Sequence, residues 1–370
     1  MHSLVNKLPE GAEIVVMTTL PNRYSQFSAD ALEFEKNGPV TIHRFAILGH
    51  ASGMLDQTRA FFSYVFQVFK KIQNEKYDLV FATSSRLMTA CLGSFISRWK
   101  MTPLYLDIRD IFADTIKEVF PASISFITFK IFSFIEKLAF NRAAKINLVS
   151  QGFEKYFRSR YPHKEFSFFT NGIDDEFMEM KFPETMIKDK KKKKTVIYAG
   201  NIGEGQGLHL IIPELGQLLK DDVNFRIIGA GGKLELLQQK LKINNSDNVQ
   251  LVGPMKRDEL MGEYLKADVL FLHLNDYEAF KKVLPSKIFE YAFMRKPIWG
   301  GLSGYAALFA EEIENAAIFH PCDAKGGAEA FRKLRFEETP RKDFIKKYAR
   351  KNIMSLMADD ILSFLKKDRA

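Results

Sequence analysis

Two charged residues interrupt an otherwise apolar stretch, Lys287 and Glu290 within Leu284-Pro-Ser-Lys-Ile-Phe-Glu-Tyr-Ala-Phe-Met294. The pattern predicts a helix that opens at Pro285-Ser286 and ends before Pro297. Ile288, Phe289, Tyr291, Ala292, Phe293 and Met294 fall on nearly every side, so the helix is expected to be buried. Three positions apart, Lys287 and Glu290 share one face. A lysine in a first turn is disfavoured by the helix dipole by about 0.3–1 kcal/mol. An anion bound at that turn reverses the sign, because backbone N–H groups and the ammonium then point at the same charge. A carboxylate one turn deeper accepts hydroxyls from whatever carries the anion. A phosphorylated sugar or a nucleotide suits both groups; a simple ion pair between them at a surface suits them equally well.

Three more clusters stand beside such a site. Gly200-Asn-Ile-Gly203-Glu-Gly205-Gln-Gly207 places four glycines in eight residues, after one apolar run and before a helical pattern. Glycine lets a backbone approach a ligand closely, and the helix start offers N–H donors to phosphate. The spacing is neither the dinucleotide fingerprint nor a Walker loop, and a tight strand-to-helix turn explains it too. Gly229-Ala-Gly231-Gly232-Lys233 closes the next apolar run and would lie at the same sheet edge. Asp107, Arg109 and Asp110 crowd the end of an earlier strand, where they could orient a sugar hydroxyl, steady a departing phosphate, or form a structural ion-pair network. The seven histidines form no HxxxH pair and no Asp-x-Asp is present, so nothing calls for a metal or other cofactor.

The elements that must position these residues alternate in type. Strands are expected at 13–19, 41–47, 77–83, 103–107 and 145–150, with helices near 57–75, after Ser84-Ser85, and at 123–142. A second series follows, with strands at 195–199, 224–228, 249–252, 269–273, 298–299 and 317–320. Its helices lie near 208–219, 233–243, 257–266, 286–295 and 325–334, and Pro213 falls inside the first of them. This alternation predicts two doubly wound parallel sheets facing a cleft. The expected domains are 1–170, 171–342 and a helical segment, 343–370, that packs back on the first. Lys188 to Lys194 holds six lysines and one aspartate and reads as a solvated linker or a contact with anionic lipid. The helix at 123–142 carries Phe126, Phe129, Phe132, Phe134 and Phe140 beside Lys130, Lys137 and Arg142, a stripe that suits a core or a membrane interface.

The bulk numbers narrow the setting. The net charge of +9 calls for an anionic partner, and without an RNA-binding signature nucleic acid ranks behind phosphorylated ligands and membrane surfaces. Two distant cysteines, Cys91 and Cys322, point to a reducing compartment, and the absence of a long apolar run points to a cytoplasmic protein.

Taken in order, Asp107-Ile-Arg-Asp110, Thr170-Asn-Gly-Ile-Asp174, Tyr198-Ala-Gly-Asn-Ile-Gly203 with Gln206-Gly207, and Pro285-Ser-Lys-Ile-Phe-Glu-Tyr291 resemble the family 4 retaining glycosyltransferases of GT-B fold. The likeness is closest to the branch that builds bacterial surface polysaccharide on a polyprenyl-diphosphate carrier, including N-acetylfucosamine-type transferases. It implies a nucleotide-sugar donor, UDP-linked, a lipid-linked acceptor, metal-independent transfer with retention, and action at the inner membrane face. The donor phosphate would help to deprotonate the acceptor hydroxyl. Glu290 would bind the ribose; Lys287 with the loop from Gly200 through Asn201 to Gly203 would hold the diphosphate, and Ser286 and Gln206 would also bind the nucleotide sugar. Gly229 and Gly231 would line the same site and Pro254 the base, with Asp107, Arg109 and Asp110 on the catalytic side. A UDP-sugar 2-epimerase of the same fold and a non-catalytic sugar-nucleotide binder are the alternatives.

The chain departs from the family pattern in places. The first glutamate of the family's pair falls at Lys282, its Arg and Lys after the strand are Asn201 and Gln206, and Phe112-Ala113 replaces an aromatic-proline step. The family also opens with a strand and a glycine-rich turn that precede the first segment here. Either Met1 is internal to a longer protein or the first sheet lacks a central strand, and a version extended upstream is expected to be more stable and more active.

Overall fold

A computed structural model describes residues 2–20, 31–47, 54–84, 86–111, 122–180, 182 and 193–369. The Phe112-Ala113 step and most of the lysine run lie outside the described residues, as do the side chains of Phe126 and Phe129. Contacts divide the chain into two units. One comprises Met1–Asp107, Lys137–Ile146 and Met354–Ala370; the other comprises Ile108–Glu136 and Asn147–Ile353.

The first series of strands forms two sheets. β1 (Ile14–Thr19), β2 (Phe34–Asn37) and β3 (Val40–Phe45) take the order β1-β3-β2. β4 (Val80–Ser84), β5 (Leu104–Ile108), β6 (Lys145–Leu148) and β7 (Glu165–Ser167) follow in sequence order. β1 and β4 each end their sheet, and side chains of both line one apolar cavity of about 270 Å³. The helices are Met54–Ile72, Leu87–Lys100 and Ala122–Arg142. In the last, Ile131, Phe134 and Leu138 are exposed while Ala139 and Phe140 are buried. The final segment is two helices, Lys342–Tyr348 and Arg350–Arg369, broken at Ala349. On the second of these, Asp360 accepts from Lys145 Nζ at 2.5 Å and Tyr105 Oη at 2.8 Å.

The second series is a single six-stranded sheet: β8 (Lys194–Ala199), β9 (Val223–Ile228), β10 (Val249–Val252), β11 (Val269–His273), β12 (Ile298–Gly301) and β13 (Ala316–Phe319). Its order, β10-β9-β8-β11-β12-β13, is parallel throughout and reverses direction between β8 and β11. Open sheets of this order take their ligands outside the carboxyl ends at that reversal. Alternate residues feed two cores, as a strand's period of two requires. Ile197, Ala199, Leu270, Leu272 and Ile298 enter one; Val196, Tyr198, Val269, Phe271 and Trp299 enter the other. Both faces are therefore covered, which is why these strands read as continuous apolar runs.

Helices Leu208–Leu218, Leu234–Ile243, Arg257–Lys266, Lys287–Phe293, Gly304–Glu311 and Ala324–Arg332 connect or flank the strands. Pro213 lies inside the first, and its carbonyl accepts from Ser246 Oγ at 3.2 Å. The Lys287–Phe293 helix is shorter than expected at both ends. Ser286 stands before it in helical conformation (φ −59°, ψ −30°) and makes no side-chain capping bond.

Trp299 is fully buried among Phe225, Phe271, Phe319 and Phe331, and its indole N–H donates to the Gly327 carbonyl at 3.0 Å. Trp299→Ala should cost about 3–5 kcal/mol of stability in urea denaturation. A loss under about 1 kcal/mol would contradict this packing.

Candidate functional site

The glycine loop leaves β8 where the sheet reverses. Gly200 has φ +156°, and a Cβ there would lie 2.7 Å from Cε of Lys287 and 3.1 Å from Oη of Tyr198. The bare backbone thus lets the lysine stem lie directly over the loop. The second glycine turn supports the first: the Gly200 and Ile202 amides donate to the carbonyls of Ile228 (2.9 Å) and Ala230 (2.8 Å), and the Lys233 amide donates to Ile202 (2.9 Å). Gly229 has φ +144°, and a Cβ on it would fall on the Gly200 carbonyl oxygen; one on Gly231 would fall on that of Ile202. The two turns sit at one sheet edge because one is laid on the other.

Side chains brace the loop further. Asn201 Nδ2 donates to Gln206 Oε1 at 2.8 Å, so two of the expected site residues hold each other across Gly203. Glu204 binds Lys233 Nζ at 2.8 Å and accepts from Tyr277 Oη at 2.7 Å, and these two bonds hold its carboxyl below its usual range. His273, at the end of β11, sits between the Gln206 carbonyl (2.7 Å from Nδ1) and the Cys322 amide (3.0 Å from Nε2). Burial pushes its pKa down to about 4, so it is neutral and structural.

Lys287 and Glu290 are both half-buried, and no hydrogen bond or ion pair joins them among the described residues. The simple surface pair is therefore not what forms. Burial lowers the lysine pKa, with Glu290 opposing and Arg257 adding to the shift. Burial raises the glutamate pKa, with Lys287 and Arg257 opposing. Each is pushed toward its neutral form because the other is too far away to replace the lost water. The helix is fixed from both sides: Tyr291 Oη accepts from the Ala199 amide at 3.2 Å, and Arg341 donates to the carbonyls of Ala292 (3.1 Å) and Lys296 (3.0 Å).

Sequence reasoning assigned no role to the group that surrounds Glu290. Asp174 binds both Arg257 Nη2, at 2.5 Å, and Arg350 Nη1. Arg257 Nε also meets Glu176 at 2.6 Å, and Arg350 Nε donates to the Asn171 carbonyl at 2.7 Å. Backbone bonds from Ile173 to Tyr348 (2.7 Å) and from Arg350 to Ile173 (2.8 Å) bring these distant segments together. Arg257 and Arg350 both act electrostatically on Glu290. Asp174 lay in a quoted motif; neither arginine gave a signal in one sequence.

The remaining expected residues fall as follows. Arg109 Nη1 donates to Asn171 Oδ1 at 2.8 Å. Asp110 lies beside Arg109. Asp107 belongs to the other unit, where it is buried and accepts from Thr83 Oγ1 at 2.8 Å. Pro254 is exposed just after β10, three residues before Arg257, and Ser286 is exposed. The Lys282 carbonyl accepts from Ser150 Oγ at 2.6 Å.

The fold is that of GT-B glycosyltransferases, built from two Rossmann-like α/β units. A sucrose-phosphate synthase from Thermosynechococcus elongatus superposes with a TM-score of 0.70 at 11% identity, covering 95% of this chain and 88% of that one. Anabaena Alr3699/HepE, solved with UDP and glucose, gives 0.63 at 18% identity, over 88% and 86%. Residues 183–352 match the family model for glycosyl transferases group 1. Over 96 residues the chain is 32% identical to a putative colanic acid biosynthesis glycosyl transferase, WcaI, of Escherichia coli K12. That match spans 26% of this chain and 23% of the relative's length.

Burial pushes the Asp110 carboxyl from its ordinary 3.8 up to about 6, with Arg109 partly opposing. The folded chain then holds this proton more tightly than the unfolded one. Its contribution to stability is complete below 3.8 and lost as pH rises through about 6. Asp110→Asn should flatten that decline in chemical denaturation across the window; parallel profiles for the two proteins would contradict it.

Proposed function

We propose that this chain transfers a sugar from a nucleotide sugar, UDP-linked, to a lipid-linked saccharide acceptor in the building of bacterial surface polysaccharide. Transfer proceeds with retention and without a metal, at a peripheral contact with the inner face of an anionic membrane. The observation that carries the reading is the Lys287–Glu290 pair: two half-buried opposite charges, not in contact, beside the bare backbone of Gly200. A nucleoside diphosphate supplies what each lacks. Its phosphates give Lys287 a counter-ion, and its ribose hydroxyls donate to Glu290.

The same groups serve the reaction. Negative charge grows on the leaving diphosphate as the glycosidic bond breaks, and a desolvated ammonium stabilises that charge more than water would. The ammonium and the loop amides hold the diphosphate, while Asn201 and Gln206, bonded to each other, hold the loop. Arg257 and Arg350, with Lys287, oppose the burial that raises the Glu290 pKa and so favour the carboxylate form that accepts from the ribose. Arg109 joins the same network through Asn171, with Asp110 beside it, and these two are assigned to the transferred sugar or the acceptor hydroxyl. Similarity of the matched segment to glycosyl transferases group 1, and of the fold to a structure holding UDP, supports the donor class.

UDP should be released from UDP-sugar only when a polyprenyl-diphosphate-linked saccharide is added. Conversion of the sugar without acceptor would favour the epimerase, and binding without turnover a non-catalytic binder. Glu290→Gln should weaken UDP binding by about 1.5–3 kcal/mol in calorimetry, the range for a hydrogen bond to a charged group. Unchanged affinity would remove the ribose assignment.

A further inference from the structure

The helices Met54–Ile72 and Leu87–Lys100 share an outward groove lined by Phe66, Phe69, Lys70, Gln73, Phe95 and Trp99. Its rings are built into one platform: Phe69 packs edge-on against Phe95 at 5.3 Å and Trp99 at 5.4 Å. Phe66 is 71% exposed, Phe95 59% and Trp99 45%, and Phe62 extends the same face one turn earlier at 61%. The platform is held firmly. Lys100 Nζ donates to the carbonyls of Gln73 and Glu75, both at 2.8 Å, and sits 4.6 Å from the Trp99 ring centre. Aromatic rings held open to water in this way need something to cover them.

Charge narrows the choice. Residues 54–76 and 86–101 contain two acidic residues, Asp56 and Glu75, against the seven cations Arg59, Lys70, Lys71, Lys76, Arg86, Arg98 and Lys100. Of these cations, all but Lys100 are exposed. Protein-protein contacts have cores depleted in lysine, whereas here Lys70 lines the groove itself. Phenylalanine and tryptophan with lysine and arginine around them are the composition of a surface that lies in a lipid headgroup layer, rings inserted and cations on the phosphates. No helix among the described residues is long and apolar enough to cross a membrane, so the contact would be one of lying on the bilayer.

We infer that the Phe66–Trp99 face of these two helices is the docking surface for an anionic lipid bilayer. It is a different surface from the phenylalanine-rich Ala122–Arg142 helix that sequence reading singled out. The inference rests on the proposed peripheral membrane contact but not on the donor or acceptor. Vesicles without acceptor therefore test it separately from the chemistry.

The full chain is floated with phosphatidylcholine vesicles and with vesicles in which phosphatidylglycerol replaces part of that lipid. Preference for the anionic vesicles is expected, falling as salt is raised. Phe66→Ser with Trp99→Ser should lower partitioning about tenfold or more. Lys70→Glu with Lys71→Glu should remove the preference for phosphatidylglycerol. UDP binding should be unchanged in both variants, which also shows that they fold. Absence of vesicle binding, or equal binding by wild type and the lysine variant, overturns the proposal. So does a lipid-free dimer or protein complex that the Phe66→Ser/Trp99→Ser variant abolishes, since that would assign the face to a protein partner.

Discussion

A cation and an anion on one short helix, both half-buried and not touching, set the terms for the rest of the structure. Both stand on one helix, so its backbone fixes where the two side chains emerge, and no hydrogen bond or ion pair joins them among the described residues. Tyr291, bonded to the Ala199 amide, and Arg341, bonded to the carbonyls at the far end, hold that helix in place. The desolvation cost is thus borne in the folded chain before a ligand arrives. A ligand that carries its own charge and hydroxyls does not have to meet it again, which is the advantage of a preorganised site.

The surrounding architecture keeps this arrangement from collapsing. The glycine turns after β8 and β9 are laid one on the other, so the Gly200 backbone is held by carbonyl contacts rather than by side chains that would fill the space under Lys287. Asp174 gathers Arg257 and Arg350, and the short backbone pairing of Ile173 with Ala349 and its neighbours supplies the geometry. Lys287, Arg257 and Arg350 thus oppose the burial that raises the Glu290 pKa, while Asp174 adds to it. An account built on Lys287 alone would miss the reason the carboxylate can work.

Much of this was legible in the chain. Strand β11 is buried on both faces and β8 over its last four residues, and both read as apolar runs, while the spacing of Lys287 and Glu290 put them on one face of one helix. β2 and β7 were not, because Phe-Glu-Lys-Asn is an exposed edge and Glu-Phe-Ser is three residues long. The helix Gly304–Glu311 was missed as well, its start being a glycine at φ +60° rather than a capping side chain. Asp174, Arg257 and Arg350 come from three separate segments, and periodicity carries no information about a contact of that range. The bond between Asn201 and Gln206 was hidden for a related reason: residue type gives the donors and acceptors, but only the folded turn shows that they are spent on each other.

The account is tested most directly at the Lys287 ammonium. Its pKa is lowered by burial in the free protein, and a bound diphosphate should restore the charged form. With the lysine ε-carbons labelled and Lys287 assigned through a Lys287→Arg variant, its titration is followed by NMR with and without UDP. The account predicts a midpoint that moves upward when UDP is bound. A midpoint that stays in place, in a protein shown to be saturated with UDP, would mean that the diphosphate does not sit on Lys287.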